Sequence, residues 1–257
     1  MTRQTETSAH LRAHDYAWLV ARWKKLAARE RWKMGEFAEA DGLPVYAVEP
    51  RRLPANDAPA LYLSAGIHGD EPAATEALVS WAARRARALA RVRFLIFPCL
   101  NPWGLLNNNR RNAVGIDLNR GYLREDVPVI TAQKALVAGR TFDAALMLHE
   151  DYDAHGIYLY ELPSVKPFWG ERLLAAGARH VPCEPRAKVE GRTCRKGLIR
   201  TRITPGEMPE HPEAFFVAFG PSRRSLTFET PSEFSLTARV RAHDAVLDEL
   251  LKLATRG

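Results

Sequence analysis

Apolar positions along this chain fall into two rhythms, and the two alternate. Residues 8–30 place Leu11, Tyr16, Leu19, Val20, Trp23 and Leu26 at helical spacing, a discontinuous apolar face that predicts a helix. FAEADGLPVYAVEP, residues 37–50, reads as two short strands around a turn at Asp41-Gly42. PALYLSAG (59–66) predicts a buried strand, and the alanine-rich run from Glu71 to Ala90 a helix. VRFLIFPCL (92–100) is a second buried strand, followed by the turn-like NPWG. FDAALMLHE (142–150) and SLTFET (225–230) are two more strands, and SLTARVRAHDAVLDELLKLA closes the chain as an amphipathic helix. Short apolar strands alternating with helices predict an α/β fold whose sheet is buried on both faces. No repeat, low-complexity tract or Gly/Ser linker interrupts the pattern. One domain over residues 1–257 is therefore expected, with residues 1–50 as a helix and hairpin packed on it.

At 257 residues, 46% hydrophobic and 26% charged, the composition is that of an ordinary globular chain. No stretch reaches the roughly 18 apolar residues of a membrane span, and the first twenty residues hold no apolar run of signal-peptide type. A cytoplasmic location without a membrane partner is expected. Cys99, Cys183 and Cys194 neither pair evenly nor show a CxxC spacing, which argues for reduced thiols over a disulfide framework or thiolate zinc site. The net charge of +7 raises nucleic acid as a partner. The basic residues are spread out, however, and no aromatic-plus-basic signature accompanies them. The densest stretch, RAKVEGRTCRKGLIRTR (186–202), better suits a basic wall that attracts a carboxylate-bearing substrate. Arg195, Lys196, Arg200 and Arg202 are its candidates for reading a second acidic group.

The chemistry concentrates at predicted strand ends. His68 and Glu71 stand three apart where a strand gives way to a helix, with Asp70 as a plausible N-cap and Pro72 in the first turn. Catalytic zinc takes three protein ligands, His₂Glu being one set, so a second histidine is needed. His149 ends the strand DAALMLH, where open α/β sheets place their sites; His155, six residues on, is its rival. In RRNAVGIDLNRGY, Asn119 and Arg120 can fork onto a planar carboxylate, and Arg110 or Arg111 can stabilise an oxyanion. Glu229 ends SLTFE, where an acid can serve as the base that takes a proton from water.

In this order the residues resemble the zinc carboxypeptidases, the carboxypeptidase A-like metallopeptidases, from the first zinc motif to Glu229. That family carries H-x-x-E, R-x-N, an N-R pair, a lone ligand histidine and a glutamate at a strand end. Here these are His68/Glu71, Arg110 with Asn112, Asn119/Arg120, His149 and Glu229. NPWG and RRNAVGIDLNR are most similar to the compact bacterial branch containing the murein tripeptide amidases. The resemblance implies a central mixed, mostly parallel β-sheet flanked by helices. It also implies one Zn²⁺ per chain on His68, Glu71 and His149, with Glu229 as the base. Arg110, chosen over Arg111 by its spacing from Asn112, would steady the oxyanion and touch the substrate. Asn119 and Arg120 would hold the terminal carboxylate of a peptide or cell-wall peptide.

The family usually has a capping tyrosine between the last histidine and the glutamate; residues 161–229 contain no tyrosine, and Tyr122, Tyr152, Tyr158 and Tyr160 lie elsewhere, which speaks against capping by a phenol. The segment after Arg120 is short, which suggests trimmed loops. A rival resemblance is to the succinylglutamate desuccinylases and aspartoacylases, which share H-x-x-E, a DLNR segment and the glutamate and cleave N-acyl amino acids. They add a C-terminal β-domain, whereas here 28 residues follow Glu229 and read as a helix. A zinc-free peptide-binding relative is the third reading.

Overall fold

The computed structural model describes residues 11–162, 165–200 and 210–256. Its first helix, α1 (Tyr16–Glu30), starts later than the periodicity predicts. His14 takes a left-handed φ of 62°, and Asp15 then caps the helix by accepting from Trp18 N at 2.8 Å. Residues 8–10 lie outside the described residues. Strands β1 (Trp32–Ala40) and β2 (Leu43–Pro50) form the expected hairpin. Asp41 and Gly42 turn it with φ of 53° and 76°, the positive pair a tight hairpin requires. β1 carries a bulge between Glu36 and Ala38.

Next come β3 (Ala60–Ala65), α2 (Pro72–Leu89), β4 (Arg93–Phe97) and α3 (Pro102–Asn107). The last of these corrects the turn expected at NPWG. Asn101 caps a short helix there, its Oδ1 accepting from Gly104 N at 2.9 Å, with Pro102 in the first turn. A further helix, α4 (Pro128–Val137), precedes β5 (Ala144–Asp151) and β6 (Tyr158–Leu162). Then follow α5 (Gly170–Gly177), a hairpin of β7 (Lys188–Val189) with β8 (Arg192–Thr193), and β9 (Leu198–Ile199). The short helix α6 (Glu213–Phe219), β10 (Ser225–Pro231) and α7 (Leu236–Ala254) complete the chain.

The main sheet runs β1-β2-β4-β3-β5-β10-β6-β9. Its centre, β4-β3-β5-β10, is parallel, and antiparallel pairings join the β1-β2 hairpin on one side and β6 on the other. Strand alternation sorts the core into two layers. Leu61, Leu63 and Ala65 of β3 pack with α1, α2, α5 and α7, while Ala60 and Tyr62 face the side of α4 and α6. Both faces of the central strands are therefore dry, as parallel sheets demand. The chain leaves β3, crosses by α2 to β4 on one side, and later inserts β5 on the other. That reversal opens a crevice at the carboxyl ends of β3 and β5, where doubly wound sheets place ligands. No helix among the described residues is long and apolar enough to cross a membrane.

Candidate metal centre and substrate cleft

His68 and Glu71 come from the loop that leaves β3. Gly66 starts it with a φ of 63°, and its carbonyl accepts from Leu100 N and Asn101 N. At Gly69 a Cβ would lie 1.9 Å from the Gly104 carbonyl carbon and 2.2 Å from Leu105 N, so only glycine permits this approach to α3. Glu71, not Asp70, occupies the N-cap position of α2, and its carboxylate turns to the histidines instead of capping its own first turn. Pro72 takes the expected first helical position.

The third ligand candidate arrives by register. His149 on β5 pairs directly with Glu229 on the parallel neighbour β10, so both side chains leave the same face at the same height. His68, Glu71 and His149 converge, each offering an atom within 4.8 Å of the others, and all three are buried. The two Nδ1 atoms stand 3.3 Å apart. That is roughly the edge of a tetrahedron with metal–nitrogen bonds of about 2.0 Å. Glu71 Oε1 lies 2.5 Å from His68 Nδ1, and Oε2 lies 3.0 Å from His149 Nδ1 without a hydrogen bond, a buried oxygen left without a partner. A cation among these atoms supplies that partner, so the donor set fits zinc. His155 is not part of the cluster; its backbone N–H donates to Glu184.

Asp117 was a residue without a role in the sequence, and the structure gives it one. His68 Nε2–H donates to Asp117 Oδ1 at 3.3 Å, which turns the Nδ1 lone pair inward. Arg110 Nε donates to Asp117 Oδ2 at 3.1 Å, and its Nη1 reaches within 3.7 Å of Glu71 Oε1. Arg110 is thus held half-exposed at the lip of the centre. Burial works against charge on His68, but Glu71 and Asp117 outweigh it and lift the imidazole to about 9. Burial also opposes charge on Asp117, yet the His68 hydrogen bond and the Arg110 charge hold its carboxyl well below the usual range. Glu229 is pushed up to about 8, chiefly by burial; His149 opposes the rise, and Glu71, Asp151 and Glu190 add to it. A divalent cation in the centre acts in the opposite direction on both His68 and Glu229.

These groups line one cleft with an empty volume of about 930 Å³, which also holds Asn119, Arg120, Arg192 and Phe215. Asn119 is anchored twice. Its backbone N–H donates to Asp117 Oδ1 at 2.9 Å, and its side-chain oxygen accepts from Glu213 N at 2.9 Å. The amide nitrogen is left as the group it offers to the cleft. Arg120 Nη1 donates to Asn119 O, and Nε stands 3.6 Å from Glu210. Below them Glu213 is buried against Tyr62 and Gln133, which fixes α6 to the sheet.

The basic wall is arranged differently from the expectation. Arg200 is committed to Glu161 and Glu171 by contacts of 2.5–2.8 Å, Arg195 and Lys196 lie exposed outside the cleft, and Arg202 falls outside the described residues. Arg192 is the cleft residue of that segment. Tyr158 and Tyr160 on β6 also face the cleft, opposite Glu229 and Thr227 of β10. The alternation in IYLYEL was the available signal for that strand.

Residues 57–152 match the model of the succinylglutamate desuccinylase/aspartoacylase catalytic domain. That span includes all three metal-ligand candidates and the Asn119/Arg120 pair, but not Glu229. Among curated proteins none matches. Among solved structures, a candidate metallopeptidase of Shewanella amazonensis SB2B superposes with a TM-score of 0.82 at 23% identity over 94% of both chains. One of Shewanella baltica OS155 gives 0.83 at 22% identity, over 94% of this chain and 93% of that. A metallo-carboxypeptidase of Burkholderia cenocepacia gives 0.68 at 19% identity, over 92% of this chain and 68% of that. At these identities the likeness is one of fold, and this chain shares the fold of these metallopeptidase and metallo-carboxypeptidase structures.

Proposed function

We propose that the protein is a zinc-dependent peptidase or peptide amidase that hydrolyses an amide bond next to a free carboxyl end. The observation that carries this reading is the strand register that sets Glu229 beside His149, within one cleft that also holds Asn119 and Arg120. His68, Glu71 and His149 would hold the zinc ion, which supplies Lewis acidity toward the scissile carbonyl and the attacking water. Glu229 takes the proton from that water and passes it to the leaving nitrogen. Arg110, fixed by Asp117 at the lip, faces the oxygen on which charge develops. Asn119 and Arg120 orient the substrate through its terminal carboxylate, a planar anion suited to an amide and a guanidinium. The compact cleft and the similarity to murein tripeptide amidases favour a small cell-wall peptide as substrate.

A second reading, hydrolysis of an N-acyl amino acid, is favoured by the catalytic-domain match over residues 57–152. Both reactions use the same residues; they differ in what lies on the acyl side. Mass-spectrometric product analysis of zinc-loaded protein separates them. The panel holds free-carboxyl peptides, a γ-D-glutamyl-diaminopimelate tripeptide, N-acetyl-aspartate and N-succinyl-glutamate. Release of a C-terminal residue or of diaminopimelate is expected. Cleavage of the small acyl amino acids alone would instead select the second reading, and no product with zinc bound would leave a binding protein.

A further inference from the structure

Because Glu71 turns its carboxylate to the histidines, the first turn of α2 has no cap from its own N-cap residue. The cap comes from another strand. Ala73 N–H, at the second helical position, donates to Glu150 Oε1 at 2.6 Å, from a residue 77 positions away in the chain. Glu150 follows His149 on β5, and strand alternation sends the two side chains to opposite faces, His149 to the cleft and Glu150 toward α7. Glu150 pairs in register with Thr230 of β10, as His149 does with Glu229, so a second polar row lies directly behind the first. Two residues four apart on α7 meet that row. Arg239 forms an ion pair with Glu150 Oε2, and His243 Nε2 lies 3.1 Å from Thr230 Oγ1. Arg239 is itself tied down, its Nε donating to Phe234 O at 2.8 Å. Glu150 is buried and Arg239 nearly so. A buried ion pair adds little stability over an apolar pair of similar size. What this one does, and an apolar pair cannot, is accept from Ala73.

We propose that Glu150 is a positioning residue of the metal centre: it supplies the cap that Glu71 gives up, and so fixes the helix carrying one ligand to the strand carrying another. The inference rests on the zinc centre proposed above and on no particular substrate. Glu71 and Ala73 are two residues apart and His149 and Glu150 are neighbours, so the hydrogen bond from Ala73 to Glu150 sets the spacing of the two ligand-bearing segments. Without it the unsatisfied N–H groups and positive end of α2 compete with the histidines for the Glu71 carboxylate. Arg239 holds the substitute cap in place from the far side and balances its buried charge.

Two double variants that both delete the ion pair separate this role from a contribution to stability alone. Glu150→Gln with Arg239→Met keeps an amide oxygen for Ala73 N–H, whereas Glu150→Leu with Arg239→Met fills the space without an acceptor. Zinc affinity of the full-length protein is measured by chelator competition, and stability of the zinc-free protein by denaturant titration. The glutamine variant is expected to bind zinc much as wild type does. The leucine variant should bind it about 10–100-fold more weakly, the usual worth of a group that orients a metal ligand. By linkage, zinc should also stabilise the leucine variant less than it stabilises wild type. Equal zinc affinity in the two variants, high or low, overturns the inference. Should the leucine variant fail to fold, Glu150→Asp takes its place; it keeps the charge beside Arg239 but draws the carboxylate back from Ala73 N. The same loss of zinc affinity is expected there, and full affinity overturns the inference. Wild-type protein that takes up no zinc removes the metal centre and this role together, whereas zinc bound equally by wild type and every variant removes this role alone.

Discussion

The metal-ligand side of the cleft and the wall facing it are built from different materials. His68 and Glu71 sit in a loop clamped by backbone, with Gly69 against Gly104 and Leu105, and His149 and Glu229 are fixed by direct strand pairing. The opposite wall is assembled from the two-residue strands β7 and β8, the seven-residue helix α6 and side-chain contacts such as Tyr160 to Glu190. Main-chain packing cannot be altered without moving strands, whereas hydrogen-bonded side chains on short segments can be exchanged singly. On the proposed function, the groups assigned to the chemistry are thereby anchored in the sheet, and the wall opposite them is made of parts the sheet does not need.

The sharpest test of that division is Glu229→Gln, which keeps the strand pairing and removes only the base. Turnover should drop by about 10²–10⁴-fold, the usual worth of a positioned general base, while bound zinc measured by elemental analysis stays near one per chain. Activity close to wild type would show that the proton goes elsewhere. His149→Ala should cost more zinc affinity than the roughly 10–100-fold expected from losing an outer hydrogen-bond partner. His155→Ala should leave the affinity in place; chelator competition distinguishes the two, and the reverse result would move the third ligand. Asp117→Asn then samples the outer partner itself, with an expected 10–100-fold loss of zinc affinity at retained fold.

The smallest effect concerns His243 on α7, buried behind the centre with its ring 3.1 Å from Thr230 and edge-on to Phe228. Burial, aided by the charge of Arg239, pushes its pKa down to about 3 from the ordinary 6.5 of a histidine. The unfolded chain therefore binds the extra proton at pH values where the folded one does not. Stability is unaffected by this group above pH 6.5 and falls as the pH drops from 6.5 toward 3, at about 1.4 kcal/mol per pH unit. His243→Gln should flatten that part of the acid limb in denaturant titrations; a limb of unchanged slope would show that the ring is not the cause.

This asymmetry also decided what could be read in the sequence. The metal-ligand side was legible because its information is local: a three-residue spacing at a strand end, a histidine closing an apolar run, a glutamate closing another. Strands 59–66 and 142–150 and the closing helix were found within a few residues for the same reason, since their apolar runs are long. The cap of α2 was misplaced at Asp70 because sequence weighs cap residues by type, and Glu71 reached that position through its pull toward two histidines. Asp117 stayed hidden because its meaning comes from His68, 49 positions away. The basic run 186–202 misled for a similar reason: Glu161 and Glu171 claim Arg200 through folding, and nothing near Arg200 in the chain announces them.

The bulged first strand has a consequence for the protein in concentrated solution. Among the described residues β1 pairs only with β2, so its other edge is a border of the sheet they form, the kind of surface on which a second copy could zip. Lys33, Glu36 and Glu39 stand exposed along that strand, and the irregularity between Glu36 and Ala38 bends its run of backbone donors and acceptors out of line. A neighbouring chain meets there both charge and a broken ladder. A sheet so rich in valine, leucine and isoleucine is thus discouraged from growing past its own molecule.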